Sequence, residues 1–355
     1  MNYQFYTKPE YYAALIKFLN AAKPGDRFMT ANMITAPWQP EVGEVLAAMI
    51  AAARRGADVS LITDARVFML DDDRRLMPGP LLFHRQLPRH GLDSRFQLVR
   101  DQFEELKAAG GRYVLLNRPR HLLANPDAGR NHIKFSIAND RYFIGGCNLE
   151  SFHNLDLMVS ADDPRVAGWL TDLGERMLTT GRSRAAIGPE DLEFAGPPGA
   201  TFFVDAGVPH RSIILRQALN FIDDAREHIT LTCQFFPGGI TARHLAAARK
   251  RGVKIDIIFN SPTLNHSILF FGFAGAQFVE QLKHPPEFFR HSLRGPGYLH
   301  TKLLATEQGA MVGSHNFVSH GVALGTAEIA LRVLDPEFAR QAVATVRRQL
   351  PAANR

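Results

Sequence analysis

One pattern recurs in both halves of this 355-residue chain and constrains the fold more than any other feature. Residues 132–148 and 300–316 each place His, Lys, Gly and Asn at relative positions 0, 2, 13 and 16. In both copies two apolar runs flank a short polar break, which predicts a β-hairpin. A second pair of matching segments, 51–62 and 246–258, comes earlier in each half and predicts a helix, a Gly and then a strand. Two matches in the same order indicate an internal duplication.

The duplication predicts two similar α/β halves, packed as a pseudodimer with mixed or parallel sheets flanked by helices. A stretch rich in Gly and Pro, residues 181–201, lies between the copies and is typical of a connection. We therefore place the boundary near residue 195. This boundary assigns residues 1–195 to an N-terminal half and 196–355 to a C-terminal half, each with one H-x-K motif.

Charge and cysteine content narrow the class of protein only slightly. The formal net charge of +6 suits an anionic partner, either nucleic acid or an anionic membrane. Cys147 and Cys233 have no ligand-like spacing, so neither a disulfide nor a zinc site is predicted, and a reducing compartment is indicated.

Residues 1–20 lack a signal-peptide apolar region, and no run reaches the length of a membrane span. We expect a cytoplasmic protein, either free or attached peripherally to the inner face of the membrane.

The paired histidines indicate phosphodiester chemistry if the two hairpins meet at one site. One imidazole can attack phosphorus and form a phosphohistidine, while the other donates a proton to the departing alcohol and then activates the incoming nucleophile. Histidine suits both tasks because its ordinary pKa lies near neutrality. Such a site needs neither a metal nor another cofactor. The residues expected to hold the nonbridging phosphate oxygens are Lys134, Lys302, Asn148 and Asn316.

These motifs resemble those of the phospholipase D superfamily, in which two H-x-K-x4-D motifs, each followed by G-G/S-x-N, bracket one metal-free active site. The resemblance covers most of the chain and implies that His132 is the nucleophile and His300 the general acid and later base. The reverse assignment also fits the pattern. Each histidine needs an acceptor that orients its ring, and Asp156 and Glu328 follow the two motifs in similar strand contexts. The resemblance implies a crossed arrangement, with Glu328 on His132 and Asp156 on His300.

The chain departs from the family pattern at the last position of each motif. Asn139 and Glu307 stand where the family usually has Asp, and each hairpin is one residue shorter. The family Asp is generally supportive, so we still expect catalysis, and Asp140 is a candidate substitute in the first motif. Because both copies are shortened alike, the change is typical of a subfamily trait rather than of decay.

Three functions fit these observations. The first is a phospholipid enzyme that either hydrolyses a head group or transfers the phosphatidyl group, as bacterial cardiolipin synthases do. The stretch Q-F-F-P-G-G at 234–239 resembles the Y-F-x-P-D stretch of those synthases. The Phe-rich segment 268–279 agrees with a lipid substrate. The second is a nuclease or other nucleic-acid phosphodiesterase, suggested by the net charge and the arginines within 74–100. The third is a silent phosphate- or lipid-binding protein, against which the two retained motifs argue. Since one chain carries both motifs, a monomer should suffice for catalysis.

Overall fold

A computed structural model describes residues 2–68, 94–118, 128–260, 291–293 and 297–350. Most of the segment 74–100, which contains the arginines, and the whole Phe-rich segment 268–279 lie outside these ranges. What we inferred from these two segments stays a prediction. Within the ranges that are described, the protein contains no helix with the length and apolar character that a bilayer crossing requires.

The first sheet and its helices come from the N-terminal part of the chain. The elements, in chain order, are β1 (Gln4–Tyr6), α1 (Lys8–Ala21), β2 (Arg27–Asn32), α2 (Pro40–Arg54), β3 (Asp58–Asp64), a 3₁₀ turn (Ala65–Phe68), α3 (Ser94–Ala108), β4 (Arg112–Leu116), β5 (Phe135–Ala138), β6 (Arg141–Gly145), β7 (Asn154–Leu155), β8 (Met158–Asp162), α4 (Pro164–Thr180) and α5 (Ser183–Ile187).

The second sheet repeats this plan. The elements of this part are β9 (Leu192–Ala195), β10 (Ala200–Ala206), α6 (Ile213–Asp224), β11 (His228–Cys233), α7 (Ile240–Lys250), β12 (Lys254–Asn260), β13 (His291–Leu293), β14 (Tyr298–Leu299), β15 (Leu303–Thr306), β16 (Gly309–Gly313), α8 (Ser319–Ala323), β17 (Ala327–Val333) and α9 (Pro336–Gln349). Strands β7 and β14 belong to neither large sheet and pair in parallel as a separate two-stranded sheet.

Strand order and direction correspond between the two sheets. The first sheet has the order β1-β8-β6-β5-β2-β3-β4, and the second has β9-β10-β17-β16-β15-β11-β12-β13. In each sheet the strand before the repeated helix is parallel to the strand after it, whereas the hairpin that follows the H-x-K motif is antiparallel. The predicted fold class, two mixed α/β halves, is therefore confirmed. Strand β9, immediately before the predicted boundary, pairs with β10 in the second sheet, and the boundary near residue 195 stays a prediction.

The helix-to-strand units of the repeat close in the same way in both halves. Gly56 follows α2 and Gly252 follows α7, and both have a φ of 92°. This left-handed conformation ends a helix and turns the chain into the next strand, and only glycine adopts it without a steric penalty.

A shared apolar core holds the two halves together. The largest buried cluster combines the inner faces of both sheets with α4 and α9, and includes Phe135, Ile144, Phe202, Leu303 and Leu331. Separate clusters cover the outer faces, one beneath α1, α2 and α3, the other beneath α6 and α7. Because the sheets pack directly against each other, the two H-x-K segments lie at the boundary between them.

Candidate active site

The structure brings the two motif histidines together. The ring centroids of His132 and His300 are 6.4 Å apart and the ring planes are nearly perpendicular, at 81°. Each histidine lies just before the first strand of its hairpin rather than on that strand. There its backbone N–H donates to the opposite half, from His132 to the carbonyl of Ala327 and from His300 to the carbonyl of Leu155, both at 2.8 Å. These bonds tie each histidine to the opposite half, outside the strand that follows it.

The residue after each of these acceptors is the acid that orients the ring. The oxygens of Glu328 lie 2.9 and 2.8 Å from Nδ1 of His132, and Asp156 Oδ2 lies 2.8 Å from Nδ1 of His300. A carboxylate only accepts hydrogen bonds, so Nδ1 of both rings carries the proton. Nε2 of each ring is thereby left for a substrate. The structure forms both crossed pairs that the resemblance implies.

Burial and neighbouring charges fix the ionisation of these pairs. Burial raises the pKa of Glu328 and of Asp156, but the adjacent histidine and lysine charges outweigh it and hold both values at about 2. Loss of solvation lowers the pKa of His132 to about 4, although Glu328 opposes this shift. Burial lowers the pKa of His300 as well. At neutral pH the acids are therefore ionised and His132 is uncharged, with a free lone pair on Nε2.

Two buried lysines supply positive charge beside the rings. Lys134 Nζ donates to the carbonyl of His132 at 2.8 Å, and Lys302 Nζ donates in the same way to the carbonyl of His300. Burial lowers the pKa of Lys134 to about 7 and that of Lys302 to about 8. A phosphate anion bound nearby would favour the charged form of both. In the ranges that the structure describes, no three His, Cys, Asp or Glu side chains gather as a metal site would require.

The two motif asparagines differ in their surroundings. The side-chain oxygen of Asn148 accepts from the backbone N–H groups of Met33 and Ile34, and its amide nitrogen donates to Glu150. Only one N–H of Asn148 is left for a phosphate. The buried side-chain oxygen of Asn316 has no hydrogen-bond partner among the described residues, so this amide can orient on a substrate.

The glycine of each motif is required by close packing between strands. A Cβ at Gly145 would lie 2.1 Å from the carbonyl oxygen of Leu157, and one at Gly313 would lie 2.2 Å from that of Ile329. Both contacted residues directly follow an orienting acid. The absence of a side chain at these glycines therefore lets the hairpin pass close to the strand that carries the acid.

Two polar residues that the sequence analysis missed fix the approach to each histidine. Asp64, at the end of β3, accepts from the backbone N–H of Asn131 at 2.8 Å, and Asn260, at the end of β12, accepts from that of Leu299 at 2.9 Å. Each donor immediately precedes its histidine. A polar residue that ends an apolar parallel strand is the sequence signal for such a role, because sites gather at the carboxyl edge of these strands.

The departures from the family motif have a structural role far from the histidines. Asn139 lies in the turn of the first hairpin and accepts from the backbone N–H of Arg27 at 2.8 Å; Glu307, in the second turn, accepts from that of Arg226 at 2.8 Å. Both side chains join a hairpin turn to the start of the neighbouring strand. They lie seven residues beyond each histidine, ~20 Å at the rise of an extended chain. Asp140 is exposed at the same turn. The side chain that accepts from the backbone N–H of Arg27 is that of Asn139 and not that of Asp140.

Cys147 is expected to have no chemical role, although it lies within the Gly-to-Asn turn. Its side chain is fully buried in the apolar core, and burial raises the pKa of the thiol well above its ordinary value. A protonated, inaccessible thiol is a poor nucleophile. We predict that Cys147→Ala keeps most of the turnover in a steady-state assay. A loss as large as that of His132→Ala would contradict this assignment.

Comparisons with known proteins concern the fold and the sequence of the second half. Residues 218–349, which include the second motif and Glu328, match a family model described as "Cardiolipin synthase, PLD-like domain". No curated protein sequence matches significantly. The phosphatidylserine synthase of Haemophilus influenzae is similar in structure, with a TM-score of 0.64 and 13% identity over 98% of this chain and 85% of that one. A polyphosphate kinase from Porphyromonas gingivalis has a TM-score of 0.61 and 14% identity over 98% of this chain and 47% of that one.

The structural similarities, at these identities, establish the fold alone. The family model matches the sequence of most of the second half, and the first half carries the same spacing of His, Lys, Gly and Asn. Strand order, motif spacing and family match all agree. Residues 218–349 thus match the PLD-like domain of the cardiolipin synthase model, and the whole chain has a fold similar to those of the two solved structures.

Proposed function

We propose that the protein is a metal-independent phosphodiesterase or phosphatidyltransferase that acts on phospholipids through a covalent phosphohistidine. The observation that carries this proposal is the pair of facing imidazoles, each held at Nδ1 by a carboxylate of the other half. With this arrangement one ring can attack phosphorus while the other transfers a proton. The family model and the similarity to a phosphatidylserine synthase support a phospholipid substrate.

The first displacement forms the intermediate. Nε2 of neutral His132 attacks phosphorus, the bond from phosphorus to the leaving oxygen breaks, and Nε2–H of His300 gives its proton to that oxygen. A bound phosphate anion raises the proton affinity of His300 and keeps this ring charged before the reaction. Glu328 stabilises the positive charge that develops on His132. Lys134 and Lys302 stabilise the charge on the nonbridging oxygens.

The second displacement releases the product. His300, now neutral, takes the proton of water or of an acceptor alcohol at Nε2, and the oxygen attacks phosphorus. The bond between phosphorus and Nε2 of His132 then breaks. Water yields phosphatidic acid, whereas an alcohol yields a new phospholipid, and the proposal includes both acceptors.

A nucleic-acid phosphodiesterase is the second candidate because the formal net charge of +6 favours an anionic polymer as well. A silent binding protein is the third. It would not need two buried histidine–carboxylate pairs, whose burial costs free energy without adding to phosphate affinity. Peripheral membrane attachment is part of the first proposal, and the segment that suggests it, 268–279, lies outside the described residues.

The deciding experiment offers both substrates at once. Mixed phospholipid vesicles and plasmid DNA are incubated in EDTA with the wild-type protein or with His132→Ala, and the lipids are analysed by mass spectrometry. We expect new phosphatidic acid or cardiolipin with the wild-type protein and none with the variant. Cut DNA with unchanged lipid would favour the nuclease instead, and no change in either substrate would favour a narrower substrate or the silent binder.

A further inference from the structure

The two halves carry different residues at one equivalent position beside the orienting acids. On β10, Asp205 is the register partner of Glu328 on β17. In the first half β1 pairs with β8 up to Tyr6, and Lys8, the first residue of α1, follows two residues later and lies beside Asp156. Side chains of cross-strand partners lie on the same face of a sheet. A lysine therefore accompanies the acid of His300, and an aspartate accompanies the acid of His132.

Lys8 is fully buried and lies among acceptors of the site. Its Nζ is 3.9 Å from Asp156 Oδ2 and 3.6 Å from Glu150 Oε1, and it donates to the carbonyl of Ser151 at 3.4 Å. Burial of an ammonium group costs free energy, and a cation in the first turn of α1 opposes the helix dipole. Stability alone therefore does not explain a lysine at this position.

Asp205 provides no corresponding charge on the other side. Its carboxyl accepts from the hydroxyl of Ser212 at 2.6 Å and from the backbone N–H of Ile214 at 3.1 Å. Burial nevertheless raises the pKa of Asp205 to about 8, so the group is mostly uncharged at neutral pH. Glu328 instead receives a hydrogen bond from the hydroxyl of Ser314. In the described residues, only the acid of His300 has an additional cation within 4 Å.

The charge of Lys8 changes the electrostatic surroundings of His300. The charged groups that face this ring are Asp156 at Nδ1, then Glu150 and Lys302, with the ring of His132 opposite. The ammonium of Lys8 helps to lower the pKa of both carboxyls, Asp156 and Glu150. The negative charge that would otherwise stabilise a protonated His300 is thus shared with Lys8.

We propose that Lys8 is a positioning residue that makes His300 a readier proton donor than Asp156 and Glu150 alone would, because the lysine shares the charge of both carboxylates. Among the described residues Glu328 has no cation other than His132 within 4 Å, although Lys134 and His315 act on it from farther away, so it shares less of its charge when His132 carries the phosphatidyl group. The roles of the two rings rest on the proposed function, whereas the difference in proton affinity does not. The asymmetry distinguishes the two role assignments that the sequence leaves open.

An NMR titration without substrate tests the proposal. The protein is labelled with ¹³C at the histidine Cε1 atoms, and His132→Gln and His300→Gln identify the two signals. In Lys8→Met we expect the pKa of His300 to rise by about one unit and that of His132 to stay unchanged. Lys17→Met, which removes an exposed lysine from the same helix, should change neither value. Lys8→Arg should keep both values close to those of the wild-type protein.

A second variant covers the case in which Lys8→Met does not fold. Lys8→Gln keeps an N–H donor for Ser151 but loses the charge, and it should raise the pKa of His300 in the same direction. Asp205→Asn should leave the pKa values of both histidines unchanged, because the Asp205 carboxyl is already mostly uncharged at neutral pH. An unchanged His300, or an equal shift of both rings, would overturn the proposal. Because no substrate is present, a missing enzymatic activity would count against the proposed function and not against this inference.

Discussion

Replacement of His300 by Ala is expected to stop turnover while a phosphoryl group stays on His132. With a phosphatidyl ester of p-nitrophenol, the leaving phenolate needs no proton, so the first displacement proceeds without the general acid. The second displacement lacks its base and stalls. We expect a burst of about one nitrophenolate per chain and a matching adduct by intact-protein mass spectrometry. On an ordinary lipid, whose leaving alcohol needs the proton, the rate should fall at least ~10²–10⁴-fold.

The companion variant separates the two roles. His132→Ala lacks the nucleophile, so neither burst nor adduct should form. The matched control is His153→Ala, which removes an exposed histidine near the first motif and should behave like the wild-type protein. An adduct on His300 in His132→Ala would reverse the assignment. If no adduct formed in any variant, the covalent mechanism would be wrong.

The sequence was sufficient to predict the features that depend on local pattern. The repeated helix, glycine and strand of 51–62 and 246–258 appear as α2 with β3 and as α7 with β12. The two hairpins follow from apolar runs on either side of a polar turn, and the repetition of both features predicted two halves. These predictions succeeded because neighbours in sequence make the contacts that define each element.

Features that depend on contacts between the halves were beyond the sequence pattern. His132 and His300 lie outside their strands because each bonds to a carbonyl more than 140 residues away. The burial of Lys8 also depends on residues distant in sequence, because its position beside Asp156 requires β1 to pair with β8. A single lysine near the start of a helix is typical of an exposed residue, and no periodicity signals that it is buried.

The residues at the last position of the two motifs make similar contacts in the two halves. Asn139 and Glu307 each have a side-chain oxygen that accepts from the backbone at the start of a neighbouring strand. An amide oxygen does this as well as a carboxylate oxygen, and the longer Glu reaches three N–H groups in succession, those of residues 226–228. Because these contacts lie at the hairpin turns, seven residues beyond each histidine, we expect the departure to leave the geometry of the histidines unchanged.

Glu328→Gln is expected to lower turnover by roughly 10²–10⁴-fold, because the acid controls the tautomer of the nucleophile. An amide nitrogen turned toward Nδ1 donates a hydrogen bond, which moves the proton of the neutral ring to Nε2. His132 then has no lone pair toward phosphorus. The replacement is nearly isosteric, and Ser314 can still donate to the amide oxygen, so the fold should be kept. Thermal unfolding followed by circular dichroism checks that point.

Asp156→Asn should produce a different kinetic pattern from Glu328→Gln. The loss of the carboxylate weakens the protonated form of His300 and slows the reaction of ordinary lipids by a similar factor. The nitrophenyl ester bypasses the acid, so its burst should survive in Asp156→Asn and disappear in Glu328→Gln. Asp162→Asn, at the exposed end of β8, is the control on the strand that follows Asp156. Equal bursts in both acid variants would contradict the division of roles, since each carboxylate would then serve both rings alike.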